Sequence, residues 1–278
     1  MAEAFTAAVC QMCSGKDRAE NLERAKALIA RAKVLGVDVV VLPEYMAFNG
    51  KGYKYQGESL QGETVTCLRK AAARHGLWIV GGTFPLENEG AFPYNTLLVI
   101  SPDGEIRCSY SKLHLFDIHV DGAPKRGESG GCSPGDRIVL LDTPFGRWGF
   151  AICYDLRFGE LFRLQAEAGA DVIFMPSSFT RVTGEAHWEV LIRARAIENS
   201  VYILAPDQAG ESEIMEAYGH SMIVDPSGKV LAQARAEEEV LLARIDPELS
   251  GRLRRQFAVF DNRRPDMYQL SSDKISCL

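Results

Sequence analysis

Three short segments are apolar almost throughout: Val37-Asp38-Val39-Val40-Val41-Leu42, Asp171-Val172-Ile173-Phe174-Met175 and Val201-Tyr202-Ile203-Leu204-Ala205. Each is brief and rich in β-branched or aromatic residues, which marks a strand. A strand without polar alternation has both faces covered, and the usual cover is a helix on the crossover between strands. Helical periodicity appears where such crossovers need it. Leu22, Ala25, Ile29 and Ala32 recur at helical spacing, with Asp17 as N-cap, Glu20 three residues later and Gly36 as the stop. Further helices are expected over 63–75 and 185–199, and further strands over 5–11 and 77–82. Ser101-Pro102-Asp103-Gly104 and Asp225-Pro226-Ser227-Gly228 are turn tetrapeptides between strand-like runs, so each closes a hairpin. The echo between them suggests a duplicated half. Alternating strands and helices with added hairpins define an α/β layered fold with a mixed sheet. We read it as a single domain over 1–278 with a C-terminal tail from about 246.

Composition narrows the class. A formal charge of −6 argues against a nucleic-acid binder, which normally presents a basic face. No apolar run reaches the ~18 residues of a transmembrane helix, and the N-terminus lacks the basic start and apolar stretch of a secretory signal. Seven cysteines at irregular spacing make a disulfide framework improbable, so a reducing, cytoplasmic compartment is expected. Ser276-Cys277-Leu278 is one substitution from the peroxisomal address Ser-Lys-Leu, a likeness that chance explains.

Function is concentrated in Gly149-Phe150-Ala151-Ile152-Cys153-Tyr154-Asp155-Leu156-Arg157-Phe158-Gly159-Glu160. An apolar run stops at a cysteine, and residues after Gly159 suit a helix, so Cys153 is expected in a tight turn at the end of a sheet. A nearby helix N-terminus would lower its pKa and favour the thiolate. A nucleophilic cysteine needs a base, oxyanion donors and a pocket. Glu44, at the end of the apolar strand 37–42, is a candidate base whose burial would raise its pKa. Lys112 opens a stretch of roughly 25 residues with little apolar periodicity, a length that marks a functional loop; its ammonium and the Tyr154 N–H could hold an oxyanion. Glu128 lies in the same loop. Taken singly, each has an ordinary alternative: a solvated loop glutamate, a surface lysine, a buried inert cysteine.

Leu42-Pro43-Glu44-Tyr45, Tyr110-Ser111-Lys112-Leu113-His114-Leu115-Phe116 and Ile152-Cys153-Tyr154-Asp155-Leu156-Arg157-Phe158, in that order, resemble the three signature segments of the carbon–nitrogen hydrolase, or nitrilase, superfamily. The resemblance runs from about residue 5 to about 268. It implies a four-layer α-β-β-α sandwich and a catalytic triad of Glu44 as base, Lys112 as stabiliser of the tetrahedral intermediate and Cys153 as nucleophile. Glu128 matches a second glutamate that orients the lysine. Gly159 stands where many members carry proline, a departure that touches no reacting group. No metal or organic cofactor is implied, and a homodimer or larger homo-oligomer is. Thr183-Gly184-Glu185-Ala186-His187-Trp188-Glu189, Tyr218-Gly219-His220-Ser221 and Arg263-Arg264-Pro265-Asp266-Met267-Tyr268 are similar to the branch holding omega-amidase and deaminated glutathione amidase. That branch releases ammonia or an amine from small carboxylate-bearing amides. Arg157, with Thr183 as hydroxyl partner, is the candidate for the substrate carboxylate; the alternative is that Arg157 pairs with Asp155 and shapes the turn. Rival readings are a carbamoyl amidohydrolase, aliphatic amidase or nitrilase on the same scaffold, or a non-catalytic interaction protein.

Other features are weaker. Cys10 and Cys13 have redox-motif spacing, but Cys10 falls inside a strand. His114 and His119 lack a completing ligand set for zinc. Arg252, Arg254 and Arg255 read as a solvated or helix C-terminal face, and no glycine pattern supports dinucleotide binding.

Overall fold

The computed structural model describes residues 2–118 and 126–278; His119 lies outside them. In chain order the elements are β1 Phe5–Gln11, α1 Arg18–Val34, β2 Val39–Val41, α2 Glu63–His75, β3 Trp78–Leu86, β4 Tyr94–Ile100, β5 Ile106–Ser111, β6 Asp117–Ile118, β7 Arg126–Gly127, β8 Ile138–Thr143, β9 Gly146–Phe150, α3 Gly159–Glu167, β10 Val172–Phe174, α4 Arg181–Asn199, β11 Tyr202–Ala205, β12 Ala209–Glu211, β13 Glu216–Tyr218, β14 Met222–Val224, β15 Val230–Gln233, β16 Glu239–Ile245, α5 Glu248–Phe257 and β17 Ile275–Cys277.

Two sheets stack face to face, ordered β16-β1-β2-β3-β4-β5 and β15-β14-β11-β10-β9-β8-β17. Because successive side chains point to opposite faces, each inner strand feeds two cores. Phe5, Ala7, Val9, Val39, Val41 and Val80 meet the second sheet, where Trp148 packs edge-on to Trp78 with ring centroids 5.4 Å apart. The alternate residues Ala8, Cys10, Val40 and Ile79 pack under α1 and α2, against Leu22, Ala25, Ile29, Val65 and Leu68. Helices α3 and α4 cover the outer face of the second sheet through Phe162, Ala166, Trp188 and Ile192. The layers are therefore α-β-β-α, and double-sided burial explains why the strands read as unbroken apolar runs.

The two halves repeat one topology. Strands β1, β2 and β3 are parallel, with β4 and β5 added antiparallel; β9, β10 and β11 are parallel, with β14 and β15 added antiparallel. Both expected hairpin turns are present, and Gly104 and Gly228 share the left-handed φ of 82° and 84°. Asp17 caps α1 by accepting from Glu20 N–H at 3.1 Å.

Two expectations shift, and one open alternative is decided. Helix α4 starts at Arg181, earlier than its apolar spacing suggests, because Thr180 serves as its N-cap. The C-terminal residues are an integral edge: β17 pairs parallel to β8, Ile275 opposite Ile138. Arg254 and Arg255 fall in the last turn of α5, the helix C-terminal alternative, and the Arg254 guanidinium is drawn inward, donating to Ala170 C=O and lying over the Phe260 ring. Among the described residues, no helix is long and apolar enough to cross a membrane.

Candidate active site

The sheet ends deliver the candidate residues to one place. Beyond β2 the chain passes through Pro43 and Glu44 and reverses at Tyr45, whose φ is 59°. That path presses on β3 at Gly82, where a β-carbon would sit 2.2 Å from Pro43 C=O and where φ is 63°. Only glycine accommodates both conditions. Replacing Gly82 with Ala is expected to cost at least about 2 kcal/mol, from strain plus forced displacement of the Glu44 segment; urea unfolding measures it, and a loss under 0.5 kcal/mol (~2-fold in the folding equilibrium) would refute the packing argument.

Glu44 and Lys112 are each about 1% exposed. Lys112 follows β5 and donates from Nζ to Glu44 Oε1 at 2.9 Å and to Glu128 Oε2 at 2.8 Å. Glu128 sits in a 3₁₀ turn, Glu128–Gly130, and also accepts from Phe116 N–H at 2.8 Å and Tyr45 O–H at 2.9 Å. Asn95, near the start of β4, bridges the two carboxylates, donating to Glu44 Oε1 at 2.8 Å and Glu128 Oε1 at 3.1 Å. The result is one buried ammonium between two buried carboxylates.

Electrostatics sorts these groups. Burial pushes the Glu44 carboxyl above the usual range; Lys112 opposes this and Glu128 adds to it. Burial works to raise Glu128 as well, but Lys112 and the Phe116 and Asn95 donors more than reverse it, so Glu128 stays below the usual range. Burial disfavours the Lys112 ammonium, yet Glu128 and Glu44 outweigh it and hold Lys112 well above an ordinary lysine. The lysine therefore stays charged, and the higher of the two carboxyl groups is the one beside the thiol. Glu44 Oε2 is buried without a hydrogen-bond partner among the described residues, and the carboxyl group as a whole neighbours the Cys153 thiol.

Strand β9 ends at Phe150, and Cys153 opens a 3₁₀ turn, Cys153–Arg157, with φ of 46°. Its N–H donates to Pro176 C=O at 3.0 Å. The turn's internal bonding begins with Asp155 N–H to Ile152 C=O at 3.0 Å, so the Tyr154 N–H is not consumed by it. The expected lowering of the thiol pKa is not found. Helix α3 begins only at Gly159, and burial, with the Glu44 charge, pushes the Cys153 thiol well above its ordinary value despite Lys112. A neutral thiol beside a raised carboxyl needs a base rather than a helix dipole.

These groups line a cavity of about 530 Å³, together with Tyr154, Arg157, Phe179 and Thr183. Arg157 does not pair with Asp155. Its guanidinium lies 5.7 Å over the Tyr154 ring and 5.6 Å over Phe179, with Nη2 3.4 Å from His187 Nδ1. Among the described residues it meets no carboxylate. The Thr183 hydroxyl is 2.8 Å from that of Thr180. Cys10 is buried core and forms no disulfide. His114 contacts Asp155, and among the described residues no three His, Cys, Asp or Glu side chains converge as metal ligands.

Asn95 and the partners of Asp155 escape sequence reading. The available signal for Asn95 is an amide in an otherwise apolar strand, since a buried polar group there needs partners.

A double sheet sandwiched by helices, with a thiol, a lysine and two carboxylates at its strand ends, defines a class of hydrolase built for covalent attack on a carbonyl-like carbon. The carbon–nitrogen hydrolase family model matches residues 6–255, and the chain belongs to that family. It is 39% identical to the omega-amidase NIT2 of Danio rerio over 96% of this chain and 98% of that one. Among solved structures, the Caenorhabditis elegans NitFhit protein has a TM-score of 0.89 at 38% identity, covering 98% of this chain and 69% of that one. Saccharomyces cerevisiae Nit3, described as a member of branch 10 of the nitrilase superfamily, has a TM-score of 0.85 at 34% identity, covering 94% and 97%.

Proposed function

We propose that this protein is an amidohydrolase that cleaves the amide of a small carboxylate-bearing substrate, an α-keto dicarboxylate monoamide or deaminated glutathione, through a cysteine thioester. The observation that carries the substrate class is Arg157, a guanidinium without a carboxylate partner among the described residues, in the same cavity as Cys153. A cation without a carboxylate partner among the described residues selects an anionic ligand, and the guanidinium fork, held near the Tyr154 and Phe179 rings, suits a carboxylate. Similarity to the omega-amidases supports the same class.

In the proposed cycle Glu44 takes the thiol proton as Cys153 Sγ attacks the amide carbon. Lys112 Nζ and the Tyr154 N–H stabilise the oxyanion. Protonated Glu44 hands its proton to the leaving ammonia or amine, and the tetrahedral intermediate collapses to the thioester. Glu44 then takes a proton from water, whose oxygen attacks the thioester and releases the acid while the thiol is restored. Glu128 keeps Lys112 charged and aimed. All the steps are carried by residues of this chain. The protein is further proposed to act in the cytoplasm as a homodimer or larger homo-oligomer.

The test is ammonia or amine release from α-ketoglutaramate, α-ketosuccinamate, deaminated glutathione, a carbamoylated amine and a simple nitrile. A keto-acid amide is expected to lead the carbamoyl compound and the nitrile by about 100-fold in kcat/KM, roughly 3 kcal/mol of discrimination. Arg157→Ala should raise KM for the leading amide about 10–100-fold, the worth of a charge-assisted contact. An unchanged KM in that variant would remove Arg157 from the substrate site.

A further inference from the structure

Asp155 is fully buried, and its carboxylate is contacted on both oxygens. Oδ2 accepts from Ile152 N–H at 2.8 Å and from Tyr110 O–H at 2.7 Å. Oδ1 accepts from His114 N–H at 3.0 Å and lies 2.7 Å from His114 Nδ1. Those partners are not scattered. Tyr110 and His114 stand two residues to either side of Lys112, and Ile152 and Asp155 bracket Cys153. One carboxylate thus ties the strand end that carries the ammonium to the turn that carries the thiol. The imidazole of His114 is stacked on Phe158 with centroids 3.6 Å apart, which secures the tie from the far side of the turn. The turn needs such restraint, because Cys153 holds a left-handed conformation that persists only where its surroundings impose it.

We propose that Asp155 is a positioning residue that sets the separation between the Cys153 thiol and the Lys112 ammonium. The inference rests on the roles assigned to those two groups above. Each Asp155 oxygen takes a backbone N–H, so an amide in its place is unsatisfied in either orientation: its NH₂ always faces Ile152 N–H or His114 N–H. Asparagine therefore preserves shape while breaking the tie. Tyr110→Phe removes the phenol anchor and His114→Ala the imidazole contact, while the backbone N–H bonds from His114 and Ile152 stay in place.

The experiment measures kcat and KM on the leading amide, thermal unfolding, and the rate at which iodoacetamide labels the Cys153 peptide, for Asp155→Asn, Tyr110→Phe and His114→Ala. Asp155→Asn is expected to lose about 100-fold in kcat, the scale of a misplacement of about 1 Å between reacting groups, and each anchor variant about 10-fold. KM should stay within about 3-fold of wild type, and Cys153 labelling should slow in the same order as kcat. Tyr110→Phe and His114→Ala variants that remain folded with wild-type kcat and labelling would overturn the proposal, even if Asp155→Asn fails to fold. A loss confined to KM would overturn it as well. Turnover surviving in Cys153→Ala, run alongside, would instead overturn the function proposed above.

Discussion

Replacing Cys153 with Ala is expected to reduce turnover of the leading amide by about 10⁴–10⁶-fold, roughly 5–8 kcal/mol of barrier, while leaving the fold in place. The size follows from the chemistry: without Sγ there is no covalent intermediate, and the remaining oxyanion donors and pocket act on a direct attack by water. The fold should survive because the turn is held by its backbone, through Cys153 N–H to Pro176 C=O and Asp155 to Ile152 N–H, rather than by the thiol. Alanine carries a β-carbon like cysteine and adds no new strain at the φ of 46°. Kinetics and a thermal melt on the same preparation check both halves. A variant within tenfold of wild-type rate (~1.4 kcal/mol) would rule out covalent catalysis by this residue.

Glu44→Gln should cost about 10²–10⁴-fold in kcat, the usual contribution of a general base. The substitution is close in shape. A glutamine carbonyl in the place of Oε1 still accepts from Lys112 and Asn95, at the 2.9 Å and 2.8 Å now seen, and Lys112 keeps Glu128 as its counter-charge. What is lost is proton acceptance by a carboxylate that neighbours the thiol and whose Oε2 has no hydrogen-bond partner among the described residues. The pH profile gives a second readout. Because burial raises the Glu44 carboxyl, the wild-type rate should rise with pH along an acid limb above the ordinary glutamate range, as the base form accumulates. Glu44→Gln should abolish that limb. A variant that keeps both the rate and the limb would assign the base elsewhere.

Much of this architecture was legible in the sequence, and for reasons tied to particular residues. The run Val39-Val40-Val41 announces double-sided burial because each of its faces meets a different core. Asp17 marks the start of α1 because its side chain satisfies a helix N–H locally. Glu44, Lys112 and Cys153 stand out because each closes or follows a strand, and the strand ends of the two mixed sheets meet at one cavity.

What escaped depends on contacts distant in sequence. Asn95 meets Glu44 across 51 positions, and Asp155 meets His114 across 41, so neither partnership leaves a periodic trace. The thiol's electrostatics also escaped. A turn followed by a helix suggests a dipole effect, but five residues lie between Cys153 and Gly159, and burial dominates over that distance. Strand β17 leaves no trace in the sequence because three residues, Ile275-Ser276-Cys277, carry too little pattern to reveal an edge pairing.

The most direct test of the central claim is rapid-quench mass spectrometry of the wild-type enzyme mixed with its leading amide, with the adduct mapped by peptide. The account predicts an acyl group, the substrate minus ammonia or amine, on Cys153 within the first turnover, decaying as substrate is exhausted. Sustained turnover with Cys153 unmodified at every time point, or an adduct on another residue, would contradict it.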